Sequence, residues 1–449
     1  MTDVLFVQPP LPSHMAEFSR SMILCPPLGL GYLASILIQE GFNVKIVDMA
    51  ALNQKVDELK SELSREEPSI VAITTTTQTY KNAIEVARLS KSVNPETYTI
   101  IGGPHVTFTA EDTLQDTHVD FVVRGEGEFT MLELTKALLR KEGDVRDVKG
   151  VSYRKENRVV NNPSRPLIQD LDCLPFPARE LFRKELYRLP GSIITSRGCP
   201  SRCIFCSAGA MWGRIYRFRS PENVIDEIEH MSSNFDIDTF FIADDTFTIV
   251  KDRVRRICGY MKKFDFQWFC EARVNTVNKE VLEDMAESGC KVIQYGVESG
   301  SQKILNSIRK GITLSQARRA VELTSKAGIL PVCSFMFPHP EDTVETAMET
   351  KNFMNELSRL GAVVLISMTT PFPGTYLYDH AEELGLTIVL RDTDRYDMVT
   401  PVFRTRYLSI EQIEEVFDNL VSFCISQEKF QHYQEMLNDK KNDQEKQPQ

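Results

Sequence analysis

Three cysteines packed into eight residues carry the most specific chemistry in this chain. Cys199, Cys203 and Cys206 stand at CxxxCxxC spacing inside Gly198–Ser207, GCPSRCIFCS. Soft thiolates at this density can wrap one metal centre and select zinc, copper(I) or an iron–sulfur cluster. Structural zinc sites usually take four ligands, often as two close pairs, and no fourth Cys or His stands near enough to complete a second pair. Three thiolates on a four-iron cluster leave one iron open to a small molecule. Arg197 and Gly198 suit a loop whose backbone amides face cluster sulfides. The apolar run Ser192–Thr195 just before it reads as a strand that delivers the loop.

With the aromatic Phe205 directly before the last cysteine, this stretch resembles the cluster loop of radical S-adenosylmethionine (SAM) enzymes. The resemblance implies a [4Fe-4S] cluster held by Cys199, Cys203 and Cys206, with SAM on the open iron and Phe205 beside it. It also implies an external one-electron reductant of flavodoxin or ferredoxin type.

Length and composition agree with a multidomain enzyme. The chain has 449 residues, enough for two or three domains with sizeable cores. A net charge of -11 argues against a nucleic-acid partner, which calls for a basic patch or stripe. No basic, apolar leader opens the sequence, and the apolar run Leu28–Ile38 is too short to span a bilayer. Ten cysteines, mostly scattered singly, suit a reducing cytoplasm better than a disulfide framework.

The elements that must position the chemistry fall into two series. Apolar runs Val4–Val7, Val44–Val47, Ile70–Ile73, Tyr98–Ile101 and Phe121–Val123 alternate with amphipathic stretches, the signature of a doubly wound parallel α/β sheet. Such sheets bind ligands beyond the carboxyl ends of their strands. There the sequence offers Pro10, the run Leu28-Gly29-Leu30-Gly31-Tyr32, Thr75, Thr76 and Gln78, then Gly102, Gly103 and His105, and finally Gly125, Glu126 and Glu128. Together these turns are similar to the cobalamin-binding domain that precedes the cluster domain in one branch of radical SAM enzymes, and they imply a cobalamin site. The axial-histidine DxHxxG loop of methionine-synthase-type domains has no counterpart here, so the resemblance implies a corrin without a His on cobalt. His105 is then expected to hydrogen-bond near the corrin or its tail.

From Ser192 a second series runs through candidate strands Thr239–Ala243, Trp268–Glu271, Val292–Val297, Pro331–Phe335 and Val363–Ser367. Six βα units predict a partial (β/α)6 barrel with its chemistry at the strand carboxyl ends. Asp244 and Asp245 stand where many radical SAM enzymes carry Gly-Gly-Glu, and are expected to hold the SAM ammonium. Arg273 suits the SAM carboxylate, Glu298 the ribose or amine, and Ser299 a neighbouring contact or helix cap. The turn Phe337–Thr343 lacks the glycines usual for the family, which makes it bulkier. Cys270 is expected to face the barrel. The expected domains are 1–145 (cobalamin-binding), 146–189 (connector), 190–400 (barrel), 401–437 (C-terminal helix) and 438–449 (disordered tail).

The resemblance implies a cobalamin-dependent radical SAM methyltransferase. A 5′-deoxyadenosyl radical would take hydrogen from an unactivated carbon of a small-molecule substrate, and methylcobalamin would give the methyl group. A cyclase or rearrangement enzyme of the porphyrin-cyclase kind uses the same parts. A non-catalytic corrinoid or redox sensor is the third reading, disfavoured by the intact cysteines.

Overall fold

The computed structural model describes residues 2–15, 25–156, 158–431 and 433. The expected disordered tail, 438–449, lies outside them, as does part of the loop between Pro10 and Pro26. Two compact units emerge: one built mainly from residues 2–187, the other mainly from residues 188–433.

The first unit is a seven-stranded sheet. Strands β1 (Val4–Gln8), β2 (Val44–Asp48), β3 (Ile70–Thr74), β4 (Tyr98–Gly102) and β5 (Phe121–Val123) run parallel in the order β2-β1-β3-β4-β5. The hairpin β6 (Val151–Lys155) and β7 (Arg158–Asn161), placed in the connector from sequence, pairs antiparallel onto β5 and extends this sheet.

The continuous apolar runs follow from burial on both faces. Val4 and Phe6 of β1 enter one core with Leu30, Ala34 and Leu37 of helix α1 (Leu28–Gln39), while Leu5 and Val7 enter the other with Ala83, Val86 and Ala87 of α2 (Tyr80–Val93). Each such side chain contributes about 1.5–3 kcal/mol on burial. The order reverses between β1 and β3, so their carboxyl ends flank the switch point where such sheets take ligands.

The second unit carries six parallel strands in the order β15-β14-β13-β12-β11-β8. They are β8 (Gly191–Ile193), β11 (Thr239–Ile242), β12 (Gln267–Ala272), β13 (Cys290–Glu298), β14 (Leu330–Phe337) and β15 (Val363–Met368); a short antiparallel pair, β9 (Ser196–Arg197) and β10 (Arg217–Phe218), flanks the cysteine loop. This is the open six-stranded barrel expected from sequence. On β12 the side chains alternate: Trp268, Cys270 and Ala272 are buried, whereas Phe269 and Glu271 are half-buried. Phe269 joins Val292, Val332, Val363 and Leu365 in a layer on which Phe430 and Tyr433 of the C-terminal segment pack. Cys270 therefore lies on the opposite face from Phe269, not toward the barrel interior as expected.

Helix starts obey local signals. Ser220 accepts a bond from Asn223 N with Pro221 at the first helical position, and capping boxes form at Thr313/Gln316 and Ser409/Gln412. At the helix Val344–Arg359 the cap is Thr343 with Thr346, and Asp342 stands just outside it. Asp342 instead accepts from His339 N at 2.7 Å and Thr346 Oγ1 at 2.7 Å, bracing a turn with a cis Phe337–Pro338 bond.

Gly103 has φ +104°, and a Cβ there would lie 2.5 Å from Thr75 O and 2.8 Å from Thr75 N. Both obstacles are backbone, so neither can move cheaply. Gly103→Ala is expected to destabilise the first unit by about 1–3 kcal/mol. A lowered denaturant midpoint for corrinoid-free protein, read by circular dichroism, checks this.

Candidate active site

The cysteine loop is delivered by β8 and held at its root by one carboxylate. Asp244, just past β11, accepts four hydrogen bonds: from Thr195 N (2.6 Å), Thr195 Oγ1 (2.5 Å), Ser196 N (2.9 Å) and Ser196 Oγ (2.6 Å). It is buried and both its oxygens are engaged. This corrects the expectation that Asp244 takes an ammonium; it is a clamp on the strand end that precedes the loop. Asp245 differs. It is open to solvent, and its Oδ2 accepts from Gly198 N at 2.9 Å. Surrounding protein raises its pKa above the ordinary carboxylate value, helped by the charge on Asp244 and opposed by the Gly198 bond.

All ten cysteines are free thiols; Cys206 is exposed while Cys199 and Cys203 are half-buried. Although its side chain reaches the surface, the Cys206 thiol is pushed up to about 11, first by the desolvating protein packed around it and then by the neighbouring Cys203, Asp245 and Cys199, against a bond from the Ala208 amide. The three sulfurs thus share one electrostatic neighbourhood. Among the described residues, no group of three His, Cys, Asp or Glu side chains converges as around a single metal ion. A four-iron cluster makes no such demand, because each thiolate takes its own iron. The donor set, three free soft sulfurs on one loop, fits that cluster.

A buried charge network backs the loop. Lys310 Nζ donates to Glu298 Oε1 at 2.6 Å, both side chains being almost fully buried. Breaking such a pair by truncating one partner typically costs about 3–5 kcal/mol. Glu298 has φ +73° at a register shift in β13, and at Gly296 a Cβ would stand 2.4 Å from Glu298 Oε1 and 2.8 Å from Lys310 Nζ. Glu298 is thus engaged within the protein, where the sequence had suggested a ribose or amine contact. Arg273 likewise has partners inside the fold: it donates to the Lys310 carbonyl and, through Nη1, to Cys203 Sγ at 3.7 Å. Lys310 Nζ lies 5.9 Å from the Phe205 ring centre, whose other neighbour is His339 at 5.9 Å. Ser299 Oγ is spent on Thr350 Oγ1 and Ser301 N, a structural role in place of a cofactor contact. Arg217 and Arg219 are buried; Arg219 pairs with Glu227.

Two residues carry no motif and emerge only from the fold. Glu271, facing the barrel interior beside Phe269, has its pKa raised to about 7, chiefly by burial and then by the charges of Asp245, Glu298 and Asp244, with Lys310 opposing. His339 is fully buried, and burial holds its pKa down to about 4 against an opposing interaction with the Glu298 backbone. Strand alternation points to the first; nothing in the sequence separates the second from an ordinary turn residue.

In the first unit the expected cobalamin residues divide in the same way. Thr75 is buried, its hydroxyl bonded to Thr76 O (2.8 Å) and Thr79 Oγ1 (3.1 Å), and Glu126 accepts from Ile168 N at 2.7 Å. Both are structural, contrary to expectation. Leu28, Tyr32 and Glu128 are buried as well. His105 is buried against Tyr80, its Nδ1 3.1 Å from Thr77 Oγ1, and its pKa falls to about 4 through burial, which leaves a neutral imidazole. Thr76 is exposed, with Pro10, Gln78, Gly102, Gly103 and Gly125 half-exposed. A Cβ at Gly29 or Gly125 would meet open space, so backbone is accessible to a bulky flat ligand. These residues fit a corrin.

The profile described as the Radical SAM superfamily matches residues 193–354, and that described as the B12 binding domain matches residues 23–135. An uncharacterized methyltransferase of Pyrococcus horikoshii is 36% identical, over 92% of this chain and 90% of its own. An anaerobic magnesium-protoporphyrin IX monomethyl ester cyclase of Rubrivivax gelatinosus is 30% identical, over 94% and 77%. The chain belongs to the cobalamin-binding radical SAM enzymes. Its fold is similar to that of the radical SAM methyltransferase TsrM of Kitasatospora setae, solved with cobalamin and a [4Fe-4S] cluster (TM-score 0.73, 20% identity, 88% and 84% covered). It is also similar to that of the cobalamin-dependent radical enzyme OxsB with aqua-cobalamin and SAM (TM-score 0.75, 21% identity, 93% and 66% covered). As a member of this family the protein is a radical SAM enzyme that works with a [4Fe-4S] cluster, SAM and cobalamin and needs a reductant. Among the described residues no helix is long and apolar enough to cross a membrane.

Glu271 makes stability depend on pH. Its native pKa lies above the unfolded value, so the native state binds the extra proton between about 4.5 and 7, and stability falls as pH rises through that window. Glu271→Gln is expected to match the wild type near pH 4 and to exceed it by on the order of 2–3 kcal/mol at pH 8. Urea unfolding of the cluster-free protein at the two pH values checks this.

Proposed function

We propose that the protein is a cobalamin-dependent radical SAM methyltransferase acting on a small molecule. One observation carries the reading: the similarity to a protein described as an uncharacterized methyltransferase extends over nine-tenths of both chains. The cytidylyl-2-hydroxyethylphosphonate methyltransferase of Streptomyces wedmorensis, at 30% identity, and the hopanoid C-3 methylase of Methylococcus capsulatus, at 28%, add support. Similarity to the magnesium-protoporphyrin cyclases keeps ring closure as the second reading.

When bound, the cluster and SAM supply a 5′-deoxyadenosyl radical, and cobalamin supplies a methyl group. The chain's own share is to hold and orient. In this reading Cys199, Cys203 and Cys206 are the cluster ligands, each losing its thiol proton on binding iron. Asp245, which keeps a free oxygen beside Gly198, receives the SAM ammonium, while Asp244 keeps the loop root in register. Phe205, fixed by His339 and Lys310, forms a rigid apolar side to the loop. Thr76 and Gln78 offer neutral hydrogen bonds to the corrin, and Gly29 and Gly125 let backbone approach its face. The electron donor is a flavodoxin- or ferredoxin-type protein, and the free cysteines suit the reducing cytoplasm.

Anaerobic reconstitution with SAM, reductant and cobalamin is expected to yield 5′-deoxyadenosine and methylcobalamin, read by chromatography and by the visible spectrum. Deoxyadenosine without cobalt methylation would sink the methyltransferase reading and leave radical chemistry standing. Cys203→Ala is expected to lose iron and all SAM cleavage while corrinoid binding persists.

A further inference from the structure

Hydrogen bonds to the sulfurs of an iron–sulfur cluster stabilise its reduced, more negative state and raise its potential. The three cysteines differ in what meets them. Cys206 faces the backbone amide of Ala208. Cys199 Sγ lies 3.8 Å from Thr246 Oγ1, but the one proton of that hydroxyl is given to the Asp245 carbonyl. Cys203 alone among them meets a cation: Arg273 Nη1 stands 3.7 Å from its sulfur. The guanidinium is buried, and its other nitrogen, Nη2, donates to the Lys310 carbonyl, which fixes the fork. Lys310 is fixed in turn by Glu298, in the space that Gly296 leaves open. Arginine suits the post, being always charged, with several donors in one plane.

We propose that Arg273 is a positioning residue that donates a charge-assisted hydrogen bond to the Cys203 thiolate and so sets the cluster's reduction potential. The charges arranged around it support this. Glu298 neutralises Lys310, which leaves the Arg273 charge to act on the loop. Asp245, just past β11, and Glu271, on the strand that Arg273 follows, are acidic and push the potential the opposite way. The consequence is functional: a less negative cluster accepts its electron more readily from an external donor. The inference rests on the cluster assignment and not on the methyl-transfer reading, since its test needs no substrate and no cobalt chemistry.

The test uses anaerobically reconstituted full-length protein, with cluster potential read by EPR-monitored redox titration and occupancy by iron analysis. Arg273→Met is expected to retain iron and shift the potential to more negative values. Arg273→Gln, which keeps donors and loses the charge, is expected to fall between Met and wild type, and Arg273→Lys to stay nearest wild type. Equal potentials in wild type and Arg273→Met at equal iron content would overturn the proposal. Should Arg273→Met fail to take up iron, Arg273→Gln decides, a wild-type potential in it counting against the proposal. Loss of iron from both neutral variants with unchanged circular dichroism would also overturn it, in favour of a purely structural hold on the loop.

Discussion

The site hangs on a single buried carboxylate. Asp244 collects two backbone amides and two hydroxyls from Thr195 and Ser196, the residues that lead into Arg197, Gly198 and Cys199. Hydrogen bonds to an ionised group contribute about 1.5–3 kcal/mol each, and four converging donors pin the end of β8 to the end of β11. A loop of three cysteines has no regular structure to set its course. Its geometry is inherited from the strand end that launches it. Asp245, one residue on, bonds Gly198 N with one oxygen and keeps the rest of its carboxylate open. Adjacent acidic residues thus divide the work: one builds the loop root and the other faces outward.

Behind the loop the charges are sorted by depth. Glu298 and Lys310 pair in the interior, Arg273 reaches from Lys310 to Cys203, Glu271 is half-buried on the barrel face and Asp245 is exposed. Two carboxylates without cationic partners repel, and both have raised pKa values. That repulsion is relieved by any positive group entering between them and the loop. A cationic ligand there would lower that repulsion, and SAM, with its sulfonium and ammonium, is such a ligand. Stability and ligand affinity are therefore traded at the same residues.

Much of this was legible in the sequence because its signals are local. Parallel strands buried on both faces give unbroken apolar runs, and all five of the first unit's parallel strands appear where those runs stand. Ser220, Thr313 and Ser409 each stand directly before the helix they cap. Cysteine spacing is equally local. What the sequence hid is the commitment of polar side chains over long separations. Asp244 bonds residues 48 and 49 positions earlier, Glu126 bonds Ile168, and Ser299 bonds Thr350. No spacing rule separates a carboxylate spent on distant backbone from one open to a ligand, so Asp244, Thr75, Glu126 and Ser299 read as binding residues. Glu271 was missed for the converse reason: its character comes from its neighbours, and none of them is near it in sequence.

The turn at the end of β13 shows how one small residue lets such commitments coexist. Glu298 must point back under the strand to reach Lys310, and it does so with φ +73°, a conformation that costs a non-glycine residue of order 1–3 kcal/mol. The buried ion pair offsets that strain only if both side chains fit in the space beneath Gly296, where any Cβ would clash with each. Glycine at 296, a left-handed residue at 298 and a lysine at 310 are therefore one device. Its output is the position of the Lys310 carbonyl, which orients Arg273 toward Cys203. The short string Gly-x-Glu reads in sequence as a ligand contact. In the fold it is the far end of a lever whose near end rests on the Cys203 sulfur.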